Sequence, residues 1–170
     1  MNISLTLPVG KTVVLRDSSG YVPGVLSTRD SDFTVKSADR TVASADGYGL
    51  VLNKAGSTEV TLTGEKNTVR IAVTAVDESA LNTFVLPGAV TVLEMQALFN
   101  TAAQRVVLPV SLISAAEGAM DGMDELFWVS VPGENAPAGL PDASSILYLC
   151  SHEETVRELD GNGLHAVLVY

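Results

Sequence analysis

The residues whose types could do chemistry lie close together near the C-terminus. Ser151, His152 and Glu153 are the residue types of a nucleophilic triad, and the chain's single cysteine, Cys150, directly precedes them. Triad side chains converge from separate segments of a fold, whereas neighbours in sequence point away from one another, so this run does not predict a triad. Cys150 ends an apolar run without a basic residue beside it to lower the pKa of its thiol, which favours a position in the core.

Carboxylates and histidines could bind a metal ion, but their spacing does not favour it. Asp30-Ser31-Asp32 and residues 121–125 concentrate acidic groups. Neither segment forms the roughly 12-residue loop that surrounds calcium with oxygen ligands, so we interpret both as solvated loops. His165 precedes an apolar run, and the distant His152 does not complete a metal site with it. The sequence therefore predicts no metal site.

The rest of the sequence has no pattern for activating a substrate or binding a cofactor. Residues 47–49 and 133–135 are glycine-containing loops, but neither is followed by the helix start with a lysine that phosphate binding requires. Paired catalytic carboxylates, a nucleophile elbow and a dinucleotide fingerprint are missing from the sequence. We therefore predict that the protein is not an enzyme and uses no cofactor.

The composition provides ample material for a hydrophobic core. The chain has 170 residues, enough for one ordinary domain or two small ones, and 46% of them are hydrophobic. No apolar run approaches the roughly 18 residues that cross a bilayer, so membrane insertion is not expected. The net charge of −10 would repel a phosphate backbone, so nucleic acid is not an expected partner.

The first part of the chain, from residue 3 to about residue 75, has the pattern of a small β-sandwich. Short alternating runs such as Ile3–Leu7 and Thr68–Val73 are separated by polar turn clusters such as residues 17–20. Six or seven short strands in this length are typical of a small β-sandwich.

This segment resembles the bacterial immunoglobulin-like domains of the group 2 type. The resemblance rests on Leu5-x-Leu7-x-x-Gly10-x-Thr12-x-x-Leu15 and on residues 37–43, 49–51 and 54–61. Val35 stands where the family usually has Trp, and Arg40 stands where it usually has Pro. The resemblance implies an all-β sandwich over residues 1–76.

After residue 80, a short phrase recurs three times at a nearly constant interval. It reads Leu81–Pro87, Ala103–Pro109 and Leu126–Pro132, and the prolines are 22 and 23 residues apart. Apolar residues lie one, three and six positions before each proline, which is typical of a leucine-rich solenoid whose stacked units share one core. Later apolar residues have helical spacing, so each unit is predicted to form a strand, a proline turn and a short helix.

These units resemble the BspA-like leucine-rich repeat, in which Ile-Pro-x-x-Val-x-x-Ile-x-x-x-Ala-Phe is typical. Leu98 and Met120 stand where that repeat usually has Phe. The resemblance implies that residues 80–170 form one short α/β leucine-rich-repeat solenoid.

The end of the chain resembles the closing segment of such arrays. Residues 146–150 are a predicted strand, and residues 166–169 are a predicted last strand. Between them, Ser151 and Glu154 have the spacing of a capping box at the start of a helix. The segment is therefore predicted to be a strand-helix-strand cap, which covers the core that a last repeat would otherwise expose.

The repeats also predict where a partner would bind. In each phrase the third and fifth residues point away from the shared core, because side chains alternate along a strand. Aligning the phrases brings these outward residues side by side. The predicted ligand-binding residues are Val85, Arg105, Val107, Trp128 and Ser130, with Thr83 next to them.

Trp128 decides whether this surface is available. Tryptophan and arginine are enriched at binding hot spots, so exposed Trp128 and Arg105 would favour a partner site. The alternative is that the immunoglobulin-like domain or the loop of residues 133–141 covers the surface. The hypothesis therefore requires that Trp128 be exposed.

Two modules of binding type without a catalytic set imply a non-enzymatic function. By resemblance, such modules occur in secreted or cell-surface bacterial proteins that adhere to proteins or glycans, which predicts an extracellular or cell-surface location. Two alternatives stay open, namely an intracellular or phage-associated structural protein and a carbohydrate-binding accessory region of a larger enzyme. The first residues show no signal-peptide pattern, which leaves a cytoplasmic location open. The sequence also leaves open the ligand, the oligomeric state and whether calcium is bound.

Overall fold

A computed structural model of the protein describes residues 2–170. In these residues the chain is mostly β-structure with one α-helix, as expected for a β-rich mixed fold. The chain divides into two compact units, of which the first comprises the residues up to Ala80 together with Val167–Tyr170 and the second comprises Leu81–Ala166. The sequence pattern assigns all of residues 80–170 to the second domain, whereas the last four residues belong to the first unit here.

The strands of seven to nine residues lie in the first unit, and the strands after residue 80 have two to four residues. The strands are β1 Asn2–Pro8, β2 Thr12–Val14, β3 Phe33–Ser37, β4 Ala43–Asp46, β5 Gly49–Leu52, β6 Gly56–Gly64, β7 Thr68–Val76, β8 Thr83–Val85, β9 Val92–Leu93, β10 Arg105–Val107, β11 Ser114–Ala115, β12 Trp128–Val131, β13 Leu147–Cys150 and β14 Ala166–Val169. The helix α1 is Glu153–Gly161, and 3-10 turns lie at Gly24–Leu26 and Glu78–Ala80.

The first unit contains two groups of paired strands. One sheet has the order β1-β7-β6-β3, in which β1 is parallel to β7 and the other pairs are antiparallel. In the other group, β5 pairs with both β4 and β2, and the end of the chain returns as β14 to pair with β2. The pairing of Leu168 with Val14 explains why the last residues belong to this unit.

The strands of the first unit alternate as half-buried strands should. Along β7, Val69, Ile71 and Val73 are buried, and the residues between them, Arg70 and Ala72, are exposed. Because side chains on a strand point to opposite faces in turn, one face of this sheet is a core face and the other meets solvent.

The second unit is built from parallel strands that recur along the chain. Its main ladder has the order β8-β10-β12-β13, and every pair in it is parallel. A shorter parallel ladder joins β9 to β11, and a bridge from Ser114 to Ala138 extends it into the third repeat. The third repeat therefore keeps its second ladder position, although its sequence after Pro132 departs from the repeat pattern.

The apolar positions of the repeated phrase form the core of this unit. The register aligns Phe84, Val106, Val129 and Tyr148 in one column across the four strands. Val106, Val129 and Tyr148 are buried, whereas Phe84 in the first strand is 38% exposed. The positions one and six residues before the prolines are buried in the second and third repeats as well, at Ala103, Leu108, Leu126 and Val131.

The short helices predicted for the repeats are not formed. Residues 95–100 and 117–122 are turns. Gln96 and Asn100 have positive φ, as do Gly118 and Gly122, which stand 22 residues later. A left-handed residue every four positions interrupts a helix, so the amides bond to the next repeat instead, as from Leu98 N to Ala119 O at 2.8 Å.

The predicted cap segment contains a strand, a helix and a last strand, but the prediction of a capping box is wrong. Residue His152, in extended conformation, precedes the first turn of α1 without a side-chain capping hydrogen bond. Thr155, which is fully buried, donates its hydroxyl to the carbonyl oxygens of Gly133 and Glu134, at 2.9 Å each. Val156 and Leu159 are buried, as the helical spacing predicts.

Candidate functional site

The structure brings the predicted ligand-binding residues into register on neighbouring strands. Thr83, Arg105 and Trp128 are paired across β8, β10 and β12. Val85, Val107 and Ser130 form a second row, two residues further along the same strands. Because residues two apart on a strand share a face, the two rows lie on one face of the ladder.

The accessibility of these residues decreases along the ladder. Val85 on β8 is 64% exposed, and Arg105, Val107 and Ser130 are half-buried. Trp128 is 0% exposed, and its ring meets the ring of Phe127 edge-on with 5.1 Å between the centroids. Trp128 is therefore not accessible to a ligand in this structure, and the accessible surface reduces to Val85, Arg105, Val107 and Ser130, hereafter the outer face.

A hydrogen bond fixes the cationic group of the outer face. Arg105 on β10 donates a hydrogen bond from Nε to Oγ of Ser130 on β12, at 3.2 Å. The guanidinium is thus held beside the side-chain row of Val107, so that a positive charge and an apolar surface lie together. Such a pair can receive a ligand that carries both an acidic and an apolar group.

The first repeat has a second accessible surface, which the sequence pattern did not indicate as a site. Four further apolar side chains of this repeat are exposed, namely Phe84, Val92, Met95 and Phe99. Of these four, Phe84 belongs to the core column, whose members Val106 and Val129 are buried in the following repeats. A sequence signal was available, because the first unit of a stacked array has no earlier unit to cover it.

Cys150 and Glu153, near the C-terminus, have structural roles. Cys150 is fully buried, and burial raises the pKa of its thiol to about 12, so the thiol is protonated at neutral pH. Glu153 accepts a hydrogen bond from Arg157 at 3.3 Å, one turn later on α1. Burial likewise raises the pKa of Tyr148, whose hydroxyl donates to the Pro141 carbonyl oxygen at 2.6 Å.

The first acidic segment uses its carboxylates for other contacts. Asp30 is buried and accepts the backbone N–H groups of Lys66 and Asn67. Asp32 forms an ion pair with Arg16 and accepts the hydroxyl of Tyr48 at 3.0 Å. Across residues 2–170, no group of three or more His, Cys, Asp or Glu side chains is arranged to hold a metal ion.

A cavity in the second unit is acidic but lacks a catalytic combination. Its volume is about 390 Å³, and it is lined by residues 116–121 and 139–142. Glu117, Asp121 and Asp142 are its only charged residues in the described lining. Carboxylates without a neighbouring histidine, lysine or cysteine give no acid–base or nucleophilic pair.

The charge of the chain is concentrated in the second unit. Residues 81–166 contain eleven aspartates and glutamates against two arginines, so this segment has a formal charge of −9 out of the chain's −10. Arg105 bonds to Ser130, and Arg157 bonds to Glu153. The surface of this unit is therefore strongly acidic, which favours partners with positive charge.

No α-helix in the described part of the chain has the length and apolar character to cross a bilayer. Searches against protein-family models, curated proteins and solved structures find no match to this chain.

Proposed function

We propose that this protein is a non-enzymatic binding module, in which an immunoglobulin-like sandwich is followed by a short leucine-rich-repeat solenoid. The solenoid holds a protein or glycan partner on the outer face. The observation that carries the proposal is the register of Val85 with Val107 and Ser130, which forms a continuous accessible row beside Arg105. By the two resemblances, the module belongs to a bacterial protein that is secreted or displayed at the cell surface.

The strand order of the first unit supports an immunoglobulin-like sandwich. Counting its strands A to G from β1 to β7, one group pairs C, F and G and the other pairs B, E and D. That division is the one found in immunoglobulin-type sandwiches. The parallel pairing of β1 with β7 adds the first strand to the C-F-G sheet.

The second unit has the features expected of a solenoid. Its four parallel strands begin at intervals of 22, 23 and 19 residues, and each contributes one residue to the core column that starts at Phe84. Amides of one repeat bond to carbonyls of the next at matching positions, as from Gln96 N to Gly118 O at 3.1 Å. A stack of this kind presents an extended surface whose loops and outward residues vary freely, which suits binding.

The experiment compares two arginine variants in a binding screen. The full chain is applied to a glycan array and to a panel of purified extracellular-matrix proteins, and each positive is then measured by surface plasmon resonance. Arg105→Gln retains a donor for Ser130 but removes the charge, and is expected to weaken binding about 10-fold. Arg157→Gln is the matched control, since it removes the other arginine of this unit at α1.

Circular dichroism and thermal unfolding first establish that both variants are folded. Retention of full affinity by Arg105→Gln, or an equal loss in Arg157→Gln, would exclude the outer face as the binding site. Failure of every glycan and matrix protein to bind the wild-type chain would overturn the adhesion function itself.

A further inference from the structure

One side of strand β8 presents backbone groups that no other strand uses. On its other side, Leu86 N donates to Val107 O at 3.0 Å and Arg105 N donates to Asn82 O at 3.2 Å. Backbone groups alternate in direction along a strand, so those of Thr83 and Val85 point away from β10. Among the strands of the described chain, β10 alone pairs with β8.

The side chains next to this edge also lack a covering layer. Phe84 begins the column that continues as Val106 and Val129, and it is exposed where those two are buried. Met95 and Phe99 in the following turn are 70% and 50% exposed. A further strand stacked on the first repeat would cover Phe84 in the way that the preceding strand covers Val106. Met95 and Phe99 would stay accessible, because their counterparts 22 residues later, Glu117 and Asp121, are exposed.

Apart from its short length of three residues, the edge lacks the features that usually prevent strand addition. Natural edge strands carry lysine, proline, a bulge or an inward-pointing charge. The three residues of β8, Thr83, Phe84 and Val85, have none of these features. An extended segment can therefore pair with β8 without burying a charge.

The negative charge of the second unit favours a positively charged segment at the edge of β8. A parallel segment runs in the same direction as the first repeat, so its residues about ten positions after the pairing strand come level with the turn after β9. That turn begins with the exposed Glu94, and the corresponding turn of the next repeat contains the exposed Glu117. Lysine or arginine at those positions of the segment would meet carboxylates.

We propose that the edge of β8 binds an extended apolar peptide segment of a partner protein, added as a parallel strand and followed by lysine or arginine. The segment caps the open end of the array and covers Phe84, and its cations pair with Glu94. This inference goes beyond the proposed function, because it concerns the backbone edge of β8 and the end of the array rather than the outer face.

A second copy of the chain fits this edge less well. A twofold pairing of β8 with its counterpart would bring together two units that each have a formal charge of −9. Like charges at an interface oppose association, whereas a cationic segment is attracted to the same surface. Charge therefore favours a basic partner over self-association.

The test uses a synthetic peptide with the sequence of the first repeat. A fluorescein-labelled peptide copies residues 81–93, which presents a phenylalanine in the core column, and ends in two lysines. A matched peptide ends in two glutamates. Fluorescence anisotropy measures the affinity of both peptides for the full chain at low and at high ionic strength, and the lysine peptide is expected to bind about 10-fold tighter at low salt, with the advantage shrinking as salt rises.

Two substitutions at one position test the backbone edge. Val85→Pro removes an N–H group that points away from β10, and is expected to weaken binding of the lysine peptide about 10-fold. Val85→Lys introduces a charge on the edge and is expected to weaken peptide binding by a similar factor. It provides a second measurement if the proline variant is unstable. Val110→Lys is the matched control, because Val110 is 74% exposed and lies in the second repeat.

Hydrogen exchange gives a direct measure of strand addition. Amides in residues 83–86 are expected to gain protection when the lysine peptide binds, and Arg105→Gln is expected to leave the affinity for this peptide unchanged, which separates the edge from the outer face. Equal affinity of wild type and both Val85 variants, or equal binding of the glutamate peptide, would overturn the proposal. A wild-type dimer that becomes a monomer in Val85→Lys would overturn it in favour of a second copy.

Discussion

The carboxylate of Asp30 lies in the space that a side chain on Gly64 would need. A Cβ atom at residue 64 would lie 2.3 Å from Asp30 Oδ2. The same oxygen accepts the backbone N–H groups of Lys66 at 3.1 Å and Asn67 at 3.0 Å. The turn between β6 and β7 is therefore held by a buried carboxylate, and the close approach requires a glycine at its first residue.

Gly64→Ala is expected to destabilise the first unit by about 2–3 kcal/mol, because the added methyl group displaces Asp30 from the two amides that it accepts. Urea unfolding followed by far-ultraviolet circular dichroism measures the loss. Gly88→Ala is the control, since a Cβ there would meet no atom within 4 Å, and its stability is expected to change by less than about 0.5 kcal/mol. Equal stabilities of the two variants would contradict the requirement for glycine at residue 64.

Burial of Trp128, the single tryptophan, gives a spectroscopic prediction. Its emission is expected to lie at short wavelength and to be weakly quenched by acrylamide in the folded protein, because no part of the side chain is exposed. Unfolding in urea is expected to shift the emission to longer wavelength and to increase quenching several-fold. Strong quenching in the folded protein would contradict the burial of Trp128 and would make it an accessible residue of the outer face.

The repeat period was readable from the sequence because the same physical requirement recurs in each unit. Every stacked strand needs apolar residues on its core side, and a proline that cannot continue the ladder follows each of the first three. The spacing of Pro87, Pro109 and Pro132 therefore predicted both the strands and the register between them. The strand at residues 147–150 and the helix α1 were also recognisable, from an apolar run and from helical spacing.

The turns of the repeats were not readable in the same way. Apolar spacing of three and four residues occurs in helices and also in turns that place the same residues inward. The deciding feature is the left-handed backbone at residues 96 and 100 and again at residues 118 and 122. Glycine marks the second pair and could have signalled it, whereas Gln96 and Asn100 give little indication of such a conformation.

The accessibility of the outer face was the least predictable property. The alternation of side chains along β12 predicts on which side of the ladder Trp128 lies. It does not predict whether another part of the chain covers that side. The same limit applies to Phe84, whose position in the core column predicts burial, although the first strand of the stack has no earlier neighbour. Both outcomes depend on packing between segments distant in sequence.

The buried thiol of Cys150 makes the stability of the protein depend on pH in alkaline solution. Burial raises the pKa of this thiol from 9.0 to about 12 in the folded chain. Its contribution to stability is therefore complete below pH 9 and is lost as the pH rises toward 12, because the unfolded chain releases the proton more readily. Cys150→Ala should lose less stability than wild type between pH 8 and about pH 10.5, as measured by urea midpoints at the two pH values.

Reagent accessibility provides an independent check on the same thiol. An aromatic disulfide reagent is expected to leave Cys150 unmodified in the folded protein at pH 8 and to modify it fully in urea. Identical alkaline losses in wild type and Cys150→Ala, together with rapid modification of the folded protein, would contradict burial of the thiol.

Gly139 and Gly163 separate the effect of backbone conformation from the effect of close contact. Both have positive φ, +76° and +85°, but a Cβ at Gly139 would lie 2.0 Å from the Ala115 carbonyl oxygen, whereas one at Gly163 would meet nothing within 4 Å. The contact at Gly139 is close because Ala138 bonds to β11 and the segment before it, with Ala115 N donating to Ala138 O at 2.8 Å.

Gly163→Ala is therefore expected to cost about 1 kcal/mol, the strain of a left-handed alanine. Gly139→Ala is expected to cost about 3 kcal/mol, because the methyl group must also push the third repeat away from β11 and break that hydrogen bond. Thermal unfolding measures both losses, and hydrogen exchange at residues 113–116 is expected to accelerate in Gly139→Ala alone. Equal losses in the two variants, without faster exchange at β11, would show that the third repeat does not depend on this contact.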